Sequence, residues 1–211
     1  MNERAKAILD FWFIQSGMED WFKKDSQFDA KIQKLFLKDL EKAINSEYEE
    51  WQDTAEECVA LVILLDQFSR NLFRDNPKAF EQDYKTRLIV NEGVDRGYLE
   101  ELSQTKIHFF LMPLIHSEDL SDHIFGHNLI DTYLKTYKYY DKIKTSSYLK
   151  LISKLAHNYD GKIILRPHPE EKLSTYKDRI SNLSNVSVIN KGSAVPYIVA
   201  SEMMIHPDCT T

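Results

Sequence analysis

The chain has 211 residues, 43% of them apolar, enough to bury a real core in one or two domains. A formal net charge of -6 and a pI near 5.7 argue against a general nucleic-acid binder. Two cysteines, Cys58 and Cys209, make no disulfide framework and suit a reducing cytosol. The opening Met1-Asn2-Glu3-Arg4 lacks a signal-peptide core, and no apolar run is long enough to cross a membrane, so a cytoplasmic protein is expected.

In chain order, Arg4 to Ile14 reads as a short helix with a heavy aromatic face, ended by Ser16-Gly17. Ser26 with Asp29 predicts the cap of the next helix, whose Phe28, Ile32, Leu35, Phe36, Leu40 and Ile44 keep helical spacing. Thr54 and Glu57 form a T-x-x-E capping box before the unbroken apolar run from Val59 to Leu65, the expected central buried helix. Asn76-Pro77 signals another helix start, carrying Phe80, Tyr84, Leu88 and Ile89 and stopping near Gly93 or Gly97. Ser103 to Met112 is a further helix that Pro113 is expected to close. The first half therefore reads as antiparallel helices joined by short loops.

The central helix ends in a polar cluster. On a 3.6-residue period Asp66, Arg70 and Arg74 share one stripe, with Gln67 and Asn71 on the next. Asp66 should therefore pair with Arg70 or Arg74. His116 has no capping duty, and it is the usual proton-transfer group near neutral pH. Asp66, Arg70, His116 and Glu118 are thus the candidate catalytic residues, and Gln67, Asn71 and Arg74 the candidate ligand-binding ones. The competing reading of Ser117, Glu118 and Asp119 is a helix cap with two acids in the first turn. The cluster itself can be an acid/base site, a site for a small anionic ligand or a plain structural network, and a helical scaffold for a partner is the further alternative.

Four motifs here carry a resemblance: Ile8-Leu9-Asp10-Phe11-Trp12-Phe13, Trp21-Phe22 with Lys24-Asp25, the run Leu64 to Asn71, and Met112-Pro113-Leu114 with His116 to Asp119. Over residues 4–122 the chain resembles the bacterial domain-of-unknown-function family 924, which implies a fold like tetratricopeptide repeats and no established reaction. Ser69 stands where that family prefers proline. The family's closing phenylalanine-glycine-arginine-phenylalanine-proline-histidine-arginine-asparagine motif is absent, so other helices are expected in its place.

Asp119, His123 and His127 recur every four residues, a spacing that suits a metal on a helix face. Gly126 interrupts that stretch; solvated histidines are the preferred reading, and neither a metal nor a cofactor is expected. Leu129 to Tyr140 and Ser147 to His157 read as two amphipathic helices. From Gly161 the period changes: Lys162 to Leu165, Val186 to Ile189 and Met203 to His206 read as strands, with helices from Ser174 to about Leu183 and from Ala194 to Ser201 between them. That alternation predicts parallel βαβ units.

This part, through Arg166-Pro167-His168-Pro169 with Glu171, Gly192-Ser193 with Val195-Pro196, and Ile205-His206 with Cys209-Thr210-Thr211, resembles the nucleotide-binding domain of glycosyltransferases of bacterial surface-carbohydrate biosynthesis. The resemblance implies that Arg166, His168 and His206 line a pocket for a nucleotide sugar. It also implies an incomplete pocket, because the family continues past the position of Thr211 into a glycine-initiated helix. The expected architecture is mainly α: a helical domain over 1–122, then a small, incomplete three-stranded parallel α/β segment over 123–211. The expected product is a fused or truncated protein with an inactive second part and a bare sheet face that favours self-association. Surface-polysaccharide glycosyl transfer by that second part is the alternative function.

Overall fold

A computed structural model describes residues 1–137, 140–165 and 173–189, and within them the chain is mainly helical with one small two-stranded parallel sheet. The chain divides into two compact units after Ser117. The first unit holds α1 (Glu3–Asp10), α2 (Met18–Phe22), α3 (Ser26–Ile44), α4 (Ala55–Val62), α5 (Ser69–Leu72), α6 (Asp83–Asp95) and α7 (Gln104–His116).

The capping box before α4 is present in part: Thr54 Oγ1 accepts the Glu57 N–H. The Glu57 carboxylate accepts from the Thr54 hydroxyl and the Asn2 N–H. From Cys58 to Leu65 every side chain is buried, which sets α4 in the middle of the unit. The helix then widens into a π-helical stretch, Ile63–Phe68, before closing down again in α5. Aromatic side chains fill the adjoining space. Trp12 lies 5.6 Å from Phe68 and 5.4 Å from Phe109, centroid to centroid, and Phe36 stacks on Phe68 at 5.3 Å.

Two helix boundaries, the start of α3 and the end of α7, differ from the sequence expectation for a physical reason, and the end of α6 falls at the second of its two expected positions. The N-cap of α3 is Asp25, whose carboxylate accepts the Gln27 and Phe28 N–H groups; Asp29 is therefore released for another task. Gly93 does not stop α6 but is buried inside it, against Phe110 and Tyr98 of the same unit. The stop is Gly97, at φ 82, a left-handed conformation that glycine takes without strain. Pro113 lies inside α7 instead of ending it. Proline removes one N–H and so one turn's bond, but the helix resumes for three more residues and ends on His116.

The second unit contains α8 (Leu120–Tyr133), α9 (Tyr140–Asn158), β1 (Ile163–Leu165), α10 (Leu173–Ile180) and β2 (Val186–Val188). The N-cap of α8 is Asp119, which accepts from the Ser121 N–H; Ser117, expected in that role, is buried and accepts from Arg87 at 2.8 Å. Helix α8 runs through Gly126, so glycine does not interrupt it. Strands β1 and β2 pair in parallel with Ile163 opposite Val186, and Leu165, Ile152, Tyr176 and Ile180 bury their core. Asn185 donates from its side chain to the carbonyls of Ala156 and Tyr159, tying the end of α9 to the strand. The expected third strand, Met203 to His206, and the short helix before it lie outside the described residues.

Candidate functional site

The π-helical stretch carries Asp66, and its side chain is wholly buried. An ionised carboxylate there requires several donors, and it has them. Gln67 Nε2 donates at 2.6 Å, Arg70 Nη1 lies 2.8 Å from Oδ1, and His116 Nδ1 lies 2.9 Å from Oδ1 and 3.1 Å from Oδ2. Burial pushes the carboxyl upward, but His116, Arg70 and Gln67 together outweigh burial and hold it below the ordinary carboxylate range. Because that carboxylate only accepts, the hydrogen between the two groups belongs on Nδ1 of His116.

Arg70 is shared. The same guanidinium forms a two-bond fork with Asp83, at 3.0 and 2.9 Å, donates to the Asp66 carbonyl at 3.2 Å and lies over the Phe80 ring at 5.4 Å. Arg74 does not continue the stripe to Asp66. Helix α5 ends at Leu72, so Arg74 leaves the helical period and pairs instead with Asp29, through Nε and through Nη2 at 3.0 Å. Asn71 donates to the same Asp29 carboxylate at 2.7 Å.

These groups surround a cavity of about 250 Å³. Its polar wall is Gln67, Arg70, Asn71, Arg74 and His116, and its apolar wall is Trp21, Phe109 and Met112. Trp21 is fixed in place by its ring N–H, which donates to the Trp12 carbonyl at 2.9 Å, and by Phe109 at 4.8 Å, edge to face. A second cavity of about 180 Å³, lined by Lys24, Asp75, Ala79 and Phe80, shares Arg70 and Arg74 with the first.

Of the residues expected from the sequence, Asp66, Gln67, Arg70, Asn71, Arg74 and His116 are thus gathered at one place. Glu118 opens the second unit, where its carboxylate is 97% exposed and accepts from Lys154 at 2.6 Å, which holds it below the usual range. Arg166, His168 and His206 lie outside the described residues. His123 and His127 are buried rather than solvated, and His127 stacks on Tyr148 at 5.8 Å. Asp119 is engaged as a cap, and among the described residues no three metal-ligating side chains gather. Two residues of the site, Asp29 and Asp83, are not among the sequence candidates. Asp29 reads as a capping acid and Asp83 as a helix-opening one, and only the setting of one acid, Asp66, against two arginines, Arg70 and Arg74, hints at further partners.

A helical unit with a buried acid–histidine pair at its central helix is the class these features define. The chain belongs to the family described as "Bacterial protein of unknown function (DUF924)", which matches residues 8–163. The match runs past residue 122 and so takes in α8 and α9 as well. A solved structure, that of the protein of unknown function ATU0120 from Agrobacterium tumefaciens, is 28% identical. It has a TM-score of 0.61 and covers 73% of this chain and 86% of that one. No curated protein matches the chain.

Proposed function

We propose that the first unit binds a small molecule and exchanges a proton with it through His116. The observation that carries this reading is the contact of both Asp66 oxygens with His116 Nδ1 while His116 lines the cavity. With Nδ1–H directed to Asp66, the second ring nitrogen is the basic one. A proton passes from an acidic O–H or N–H of the ligand to that nitrogen, and the ionised Asp66 stabilises the resulting imidazolium. Asp66 and Arg70 act as positioning residues; Gln67 and Asn71 supply amide contacts to the ligand. The cavity is smaller than the roughly 300–1,000 Å³ usual for drug-sized molecules, which points to a compact metabolite.

A purely structural network is the second reading, favoured by the Arg70–Asp83 and Arg74–Asp29 pairs, which already neutralise both guanidiniums. Reactivity separates the two. Diethyl pyrocarbonate acylates an accessible, unprotonated imidazole nitrogen. Peptide mapping after brief treatment should find His116 modified well before the buried His108. A His116 that resists the reagent in the folded protein overturns the proton-transfer reading.

For the segment after residue 163 we propose descent from a glycosyltransferase nucleotide-binding domain without retained transfer activity. The parallel β1–α10–β2 crossover supports that reading. Calorimetric titration with nucleotide diphosphate sugars tests it: no binding is expected, and micromolar binding lost in His206→Ala overturns the loss of activity.

A further inference from the structure

Resting on the His116 reading, the two adjoining cavities narrow the kind of ligand. The first has an apolar wall of Trp21, Phe109 and Met112, beside the proton-exchanging histidine. The second is lined by Lys24 together with Asp75 and shares Arg70 and Arg74 with the first. Their common border is therefore the pair of guanidiniums, Arg70 and Arg74.

The three cations of these cavities differ in how firmly they are engaged. Arg70 is fully committed, to Asp66 and to the Asp83 fork. Arg74 binds Asp29 through Nε and Nη2, and those bonds leave its Nη1 group to other partners. Lys24 pairs with Asp75 at 2.7 Å, but the two side chains are 68% and 81% exposed. An ion pair that open contributes little, so an incoming anion takes over Lys24 at small cost. Trp21 and Lys24 belong to one short segment, one at each cavity, so it offers both an aromatic surface and a cation.

We propose that the ligand is a small amphipathic anion, its apolar body against Trp21 and Phe109 in the first cavity and its carboxylate or phosphate reaching Arg74 and Lys24 in the second. An amide or hydroxyl in place of the anionic group loses a charge-assisted contact to both cations. Attraction to these solvent-facing groups also weakens as salt is added.

Calorimetric titration of the full chain with phenylacetate, phenyl phosphate and neutral phenylacetamide tests this. At least one of the two anions should bind about tenfold more tightly than the amide, and the stronger of them identifies carboxylate or phosphate as the preferred group. Lys24 is exposed, so Lys24→Gln should fold normally and weaken the anion about tenfold without changing the amide. Equal binding of amide and anion, no binding of either anion, or an unchanged affinity in Lys24→Gln overturns the proposal. If that happens while His116 is still modified rapidly by diethyl pyrocarbonate, the proton-transfer reading stands and only the ligand class falls.

Discussion

Asp66 meets His116 with both carboxylate oxygens on one ring nitrogen, at 2.9 and 3.1 Å, although fifty positions separate the two residues in the chain. The contact depends on two irregular helices. The π-helical turn of Ile63–Phe68 carries the acid, and α7 continues past Pro113 to deliver the histidine. It also explains how a carboxylate with no exposed surface stays ionised.

Asp66→Asn should be strongly destabilising near neutral pH. The amide can still accept and donate, but it removes the carboxylate charge that Arg70 Nη1 and His116 Nδ1 both approach, at 2.8 and 2.9 Å. Removing one member of a buried charged cluster costs roughly 3–5 kcal/mol. Because the folded carboxyl is held below its unfolded value, its contribution is complete above about pH 4 and is lost as pH falls through the folded pKa. Chemical denaturation at neutral pH and at pH 3 should therefore show the gap between wild type and variant shrinking in acid. Equal stability at neutral pH would assign the cluster no structural weight.

The sequence made part of this site legible and left part of it hidden. Asp66 and Arg70 are four apart on an apolar helix, a local relation that periodicity exposes. His116 stood out because no cap needed it. Asp29 and Asp83 did not stand out, since each sits in the first turn of a helix, where an acid has a sufficient local explanation. Their true partners, Arg74 and Arg70, lie 45 and 13 positions away, and only tertiary packing brings them together. Proline misled in the same way: it is a strong local stop signal, but packing held α7 together through Pro113. The helical class of the first unit and the parallel strands of the second came from periodicity over longer windows, which single residues disturb less.

Gly93→Ala should destabilise the first unit by roughly 1–3 kcal/mol through overpacking. A Cβ at this position would lie 2.6 Å from Phe110 Cζ and 2.9 Å from Tyr98 Cδ2, both closer than such atoms approach. Alanine is otherwise the better helix former by about 1 kcal/mol, so a stabilised variant would show that the α6 and α7 helices are less closely packed here. The denaturation midpoint reads the difference directly.

His108 should make the protein less stable as the solution is acidified through the range where histidine ordinarily titrates. It is buried on α7, and burial, with a smaller push from the neighbouring His116, lowers its pKa from 6.5 to about 4. The unfolded chain takes up a proton at this ring below about pH 6.5, and the folded chain only below about 4. Between those limits the unfolded state binds more protons, so stability declines as pH falls, by about 3 kcal/mol over the whole interval. Above the interval the neutral ring contributes its full share. His108→Gln removes the titration and keeps a polar side chain in the same space. Urea midpoints measured from pH 7.5 down to pH 4.5 should therefore fall more steeply for the wild type than for the variant. The C2 proton of His108 should meanwhile hold its neutral chemical shift down to about pH 5. Parallel midpoint curves, or a His108 resonance that titrates near 6.5, would show that the ring is solvated in the folded chain.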